Sequence, residues 1–266
     1  AVCPTGAAAY ALPPVDARVL LAYFGGCLVV FAIGRAVSRA AFRHDGVAQS
    51  VFALGGIFSN NVLLGVPLVQ VTLGEAAMPV VSLVVVFNTL TLWTLVSVSV
   101  EWARHSTLSA ARFAATAKGV VTNPVVASIL AGTLFGFTGF ALPHWLDRAL
   151  ALLAQAAIPL SLIVLGMGLG SYAVREGWRV SVAIAAIKLA VQPAVVWAIA
   201  RVAGLPPGET IAVVLLAALP VGANVYLMAR QFRTLEGPVA ASLVLSTALA
   251  AVTTPLLLAI LAAPAT

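Results

Sequence analysis

The sequence predicts an all-α membrane protein in which two inverted triplets of spans each carry one interrupted helix. Three observations lead there: the composition, a matched pair of polar interruptions, and the sidedness of the basic residues. Of 266 residues, 62% are hydrophobic and 8% charged, with a mean hydropathy of +1.10. A soluble domain carries roughly 25% charged residues, so the chain is a polytopic membrane protein. The formal charge of +6 comes from basic residues spread singly through short loops, an arrangement that argues against a nucleic-acid partner. Cys3 and Cys27 are too few for a disulfide framework and stand in no metal-ligand spacing, so neither a metal nor a cofactor is expected.

The interruptions sit in opposite halves of the chain. The first reads Phe58, Ser59, Asn60, Asn61, Val62, Leu63, Leu64, Gly65, Val66, Pro67, and the second Ala218, Leu219, Pro220, Val221, Gly222, Ala223, Asn224, Val225, Tyr226. Amides, glycine and proline together near mid-depth free backbone groups where no water can bond to them. Such breaks at corresponding places in two repeats mark the binding site of a secondary transporter.

Spans of roughly 20 apolar residues can be laid out eight times: a near 17–36, b near 48–71, c near 77–100, d near 123–141, e near 148–172, f near 179–202, g near 209–230 and h near 238–262. No initiating Met or leader pattern precedes Ala1, so 1–16 reads as a non-spanning segment at the start of a fragment. The stretch 101–122 carries Arg104, His105, Arg112 and Lys118 among alanines and is either an amphipathic surface helix or a solvated loop.

Alternating the spans places ten basic residues on one side (Arg35, Arg39, Arg43, Arg104, Arg112, Lys118, Arg175, Arg179, Arg230 and Arg233). Three fall on the other (Arg18, Arg148 and Arg201), and Lys188 lies within a span. The richer side is then cytoplasmic and both chain ends are extracytoplasmic. The run from Glu75 to Val85 resembles that from Glu236 to Leu245 with one residue deleted. Spans a, b, c therefore pair with f, g, h, and the two triplets enter the membrane from opposite sides. Spans d and e open the second repeat, so a five-plus-five protein needs two more spans ahead of Ala1.

Four motifs in order resemble the auxin efflux carrier family, which joins bacterial malonate-type permeases with plant PIN-type carriers. They are the Ser59–Leu68 run, the Asn123, Pro124 opening of span d, Ile187, Lys188, Leu189 with Gln192, Pro193, and Ala218–Gly222. The resemblance covers Arg18 to Leu261. It implies an NhaA-like inverted-repeat fold of ten helices, here eight of them, with two broken helices crossing at mid-membrane. It also implies elevator-type movement and organic-anion substrates, in a multi-pass protein of the bacterial inner membrane. On that pattern 17–100 and 179–262 are transport-domain helices, with broken helices at 48–71 and 209–230. The 101–122 stretch is a cytoplasmic connector and 123–172 supplies scaffold-type helices. PIN-type carriers have proline where this chain has Ser59 and again where it has Val225, so Asn60 and Pro220 with Gly222 must open the helices here.

At each break the half-helices present free N–H groups at an N-terminus, a setting that suits a carboxylate. Candidate substrate ligands are Ser59, Asn60, Asn61, Asn123, Pro220, Gly222 and Asn224; the asparagines can hold a carboxylate or simply cap open backbone. Gly65, Pro67 and Pro220 are candidate helix breakers, and Pro67 can act as a kink alone. Asn88 with Thr89 and Ser246 with Thr247 are expected to bond between helices. Gly132 and Gly136 form a small-xxx-small pair able to seat a neighbouring helix, which leaves a homodimer open.

Lys188 costs about 2.5–3.5 kcal/mol to insert, and no Asp or Glu lies at its depth. It bonds free carbonyls of the broken helices, attracts the anion, or titrates and carries a proton. No histidine or acid in a span could activate a serine nucleophile, so no catalytic residue is expected. Gly166, Gly168 and Gly170 lack a βαβ context and read as helix packing. The competing reading is a ligand-binding sensor or a non-transporting membrane subunit with a carrier-like fold.

Overall fold

The computed structural model describes residues 16–104 and 177–262, with 131, 132, 135, 138, 140, 142–153 and 156. Regular structure among them is helical. A first group comprises α1 (Ala17–Phe42), the half-helices α2 (Gly46–Gly55) and α3 (Asn61–Leu73), and α4 (Met78–Arg104). The second comprises α5 (Trp178–Val202), the half-helices α6 (Pro207–Ala217) and α7 (Asn224–Phe232), and α8 (Glu236–Ala262). Residues 144–153 are helical as well.

Ala17–Phe42, Glu75–Arg104, Trp178–Val202 and Glu236–Leu261 are each long and apolar enough to cross a bilayer; Gly46–Gly55, Asn61–Leu73 and Pro207–Ala217 are shorter. At 1.5 Å per residue the ten residues of α2 reach about half of a 30 Å hydrocarbon core. Spans a, b, c, f, g and h fall on these elements. Asn123, Gly136, the glycines 166–170, and most of spans d and e lie outside the described residues, as does the connector beyond Arg104. Helix α4 runs on to Arg104, into the segment expected to be connector.

Local chemistry sets the ends. Asp16 caps α1 by accepting from Arg18 N–H (2.8 Å), and Asp45 caps α2 by accepting from Ala48 N–H (2.8 Å). Arg43 closes α1 in the left-handed region at φ 56°, and Arg233 closes α7 at φ 53°. Three π turns interrupt the helices, at Leu21–Gly25, Asn61–Gly65 and Ile187–Val191. The last two end just before Pro67 and Pro193. Proline has no N–H to donate and its ring crowds the carbonyl four residues back, and a widened turn relieves that crowding.

Helix α1 packs along α2 and α2 against α4; α5 packs on α6 and α8; α1 meets α5 and joins the groups. The core gathers at the two breaks, with Phe52, Leu54 and Ile57 from one and Leu215, Leu216 and Leu219 from the other fully buried. At one end of the α1–α2–α4 layer, Arg35 donates to the hydroxyls of Ser99 and Ser50 (3.4 Å to the latter), and those two serines bond each other at 2.9 Å. The first elements of the groups start at matched intervals: Ala17 with Trp178, Gly46 with Pro207 and Glu75 with Glu236 are the same number of residues apart.

Candidate binding site where the two broken helices cross

Two features end the first half-helices. Gly55 and Gly56, poor helix formers, finish α2, while Pro220 cannot continue α6 and biases Leu219 away from helical backbone. The freed chains then meet. Ser59 and Val221 form an isolated antiparallel β-bridge, in which Asn60 N–H donates to Pro220 C=O (3.0 Å) and Gly222 N–H to Phe58 C=O (2.8 Å). The pattern is two-fold: each chain gives one donor and one acceptor about its central residue. Gly222 is required by this approach, since a Cβ there would stand 2.8 Å from Phe58 Cδ1 and 3.1 Å from Ser59 O.

The predicted residues fall around this bridge. Asn60 is half-buried, and its C=O takes the N–H groups of Leu64 and Gly65 (3.2 Å each). Its side chain makes no cap bond, so capping is not what holds it. Beyond it, the N–H groups of Val62 and Leu63 have no partner among the described residues. Asn61, 2% exposed, donates from Nδ2 to the Tyr23 hydroxyl (2.9 Å), which Ser59 also neighbours, while its Oδ1 is buried without a hydrogen-bond partner among the described residues. Asn224 begins α7, half-buried, and the next amides are closed by their own turn: Val225 N–H to Gly222 C=O (3.0 Å) and Tyr226 N–H to Ala223 C=O (3.1 Å). Gly65 ends the π turn of α3, where a Cβ would meet Leu219 Cδ1 at 2.8 Å and Leu216 Cδ2 at 3.0 Å. Pro67 lies in the first α turn after it. The non-helical run is therefore Gly56–Asn60, upstream of both.

Lys188 is fully buried, and among the described residues it is the one charged side chain that is. Its Nζ donates to Ala217 C=O at 2.5 Å, the last carbonyl of α6. A bond to a broken-helix carbonyl is one of the readings open for this lysine. Ser246 of α8 accepts from Val221 N–H (3.1 Å) and donates to Leu243 C=O (3.2 Å), bonding between helices as expected of it. Thr247 bonds only within its helix, to Leu243 C=O. Asn88 is buried, and its Oδ1 has no hydrogen-bond partner among the described residues.

Sequence reasoning gave no role to Tyr23 or to the Gln192 side chain. Gln192 is fully buried, and its Nε2 donates to Ile57 C=O at 2.8 Å. The available signal was its place four residues after Lys188, on the same helix face. Tyr23 left no comparable trace, because one tyrosine in an apolar span reads as core.

A family model described as Membrane transport protein matches residues 17–258. The chain belongs to that family, the auxin efflux carriers. This carrier is also 28% identical over 242 residues to a protein of Rhizobium meliloti (strain 1021) named "Putative malonate transporter", a match covering 89% of the chain and 75% of the relative. Family and apolar helices together make the carrier a multi-pass integral membrane protein with a small-molecule substrate.

Proposed function

We propose that the carrier moves a small organic anion, malonate or a related carboxylate, by elevator-type alternating access, binding it at the crossing of the broken helices. The observation that carries this reading is the open N-terminus of α3: Val62 and Leu63 present unpaired N–H groups beside the unbonded side chain of Asn60. A helix N-terminus carries about half a positive charge, and unpaired amides there receive carboxylate oxygens. Ser59, Asn61, Pro220, Gly222 and Asn224 shape the rest of the site. Across the bridge, Lys188 bonds the carbonyl end of α6 and so offsets the negative helix end there. The malonate description of the Rhizobium relative agrees with this choice.

On this reading α1–α4 and α5–α8 are inverted repeats. The antiparallel bridge and the matched helix starts support that relation, because equivalent segments of oppositely inserted repeats must run antiparallel where they meet. They form the moving body, 17–100 and 179–262, against scaffold helices within 123–172. The protein resides in the inner membrane with the ten-residue basic side cytoplasmic. Coupling, if present, does not run through an intramembrane carboxylate.

Counterflow tests the proposal. Proteoliposomes preloaded with unlabelled malonate should accumulate labelled malonate, and Asn60→Ala should slow this at least about tenfold, the worth of one charge-assisted hydrogen bond. Binding without counterflow would favour the sensor reading.

A further inference from the structure

One helix reaches both breaks. Lys188 and Gln192 stand one turn apart on α5, Lys188 Nζ bonding Ala217 C=O at the second break and Gln192 Nε2 bonding Ile57 C=O at the first. The matched helix starts that pair Ala17 with Trp178 place Cys27 of α1 opposite Lys188 of α5. Cys27 faces the first break as Lys188 faces the second, its Sγ 4.0 Å from Ile57 C=O, but a thiol is a weak donor. The carbonyl that the first group's own helix leaves poorly met is served from the other group: Gln192 reaches between Cys27 (3.5 Å to Sγ) and Ile57.

We infer that Gln192 is a positioning residue for the anion site, fixing the end of α2 so that Ser59 and Asn60 lie in register with Pro220 and Gly222. This rests on the crossing being the substrate site. Ile57 C=O is the last carbonyl before Phe58, whose own C=O already takes Gly222 N–H. Without the amide, Ile57 C=O is buried with only the thiol near it, and the chain can recover a bond only by rotating the peptide that leads into the bridge. The cost therefore appears in the placement of Asn60 and the α3 amides, which is substrate affinity.

Three variants in proteoliposomes, with malonate as probe, test this. Gln192→Leu should raise KM about tenfold, as expected for one lost buried hydrogen bond, with Vmax within about twofold of wild type. Gln192→Glu donates only while its carboxyl is protonated, so its KM should climb with rising pH relative to wild type, and a comparison inside one protein sample is independent of folding yield. Cys27→Lys added to Gln192→Leu sets an ammonium opposite Ile57 C=O and should return KM to within about threefold. Asn60→Ala run alongside separates the two readings. If Asn60→Ala raises KM while Gln192→Leu lowers only Vmax or protein yield, and the KM of Gln192→Glu tracks wild type across pH, the positioning role is wrong. If Asn60→Ala also leaves KM unchanged, the site itself is misplaced.

Discussion

At the first break, α3 opens with unpaired amides at Val62 and Leu63, and the carbonyl end of α2 is met by the neutral amide of Gln192. At the second, the amides of Val225 and Tyr226 are closed by their own turn while those of Ala223 and Asn224 have no partner among the described residues, and the carbonyl end of α6 is met by the ammonium of Lys188. The shared bridge makes the backbones near-equivalents, so the chemistry placed at their ends is what separates them. Both helix starts offer donors to an anion, and at the second break the ammonium also offsets the negative helix end that would repel it. A two-fold frame thereby becomes an asymmetric site without any buried acid among the described residues.

The largest effect should follow from removing the charge at the second break. Lys188→Met keeps length and burial but leaves Ala217 C=O bare, a loss of about 1–3 kcal/mol at a buried acceptor. Transport should fall by more than tenfold with the protein still inserted, read as Vmax per reconstituted carrier. Next come the paired glycines. Gly222→Ala drives a methyl against Phe58 and the Ser59 backbone carbonyl, whereas Gly65→Ala meets only the ends of Leu216 and Leu219. Overpacking costs about 1–3 kcal/mol, and backbone yields less than a leucine tip, so the Tm in detergent should drop further for Gly222→Ala.

Tyr23→Phe removes the acceptor of Asn61 Nδ2 and frees Asn61 to turn within the first break. An uptake KM raised about threefold is expected, from a neutral hydrogen bond worth about 1 kcal/mol. The smallest effect lies outside the spans. His44, stacked on Phe42 and bonded to Ser38 Oγ at 2.9 Å, is held below its ordinary 6.5 by burial, with Asp45 pulling the other way. Because the folded state prefers the neutral ring, its contribution is intact above pH 6.5 and declines as the pH falls below that value. His44→Gln should flatten this acid-side slope in a thermal-stability series.

The sequence made the membrane class and the positions of both breaks legible, because Gly, Pro and Asn gathered at mid-span open a helix where lipid would leave its backbone unsatisfied. The long helices followed from hydropathy alone. Lys188 announced itself as a charge without a partner at its depth. A bond to a free carbonyl of a broken helix was among its readings, but which carbonyl was not legible, because Ala217 contributes only its backbone and backbone acceptors leave no mark in a residue string. Gln192 was hidden for the same reason: its partner is Ile57 C=O, and the need for it arises only when α1 and α5 come together around Cys27. The difference between Asn60 and Asn224 was equally invisible, since it is one of position: Asn60 precedes the open amides of Val62 and Leu63, whereas Asn224 already lies in the first turn of α7, after the open amide of Ala223.

The central claim is that the first break, not the second, takes the anion. The direct test is the ratio of malonate KM values for Asn60→Ala and Asn224→Ala measured in the same proteoliposome preparation. A KM raised about tenfold at Asn60 and less than about threefold at Asn224 is predicted; equal effects, or the larger one at Asn224, would contradict it.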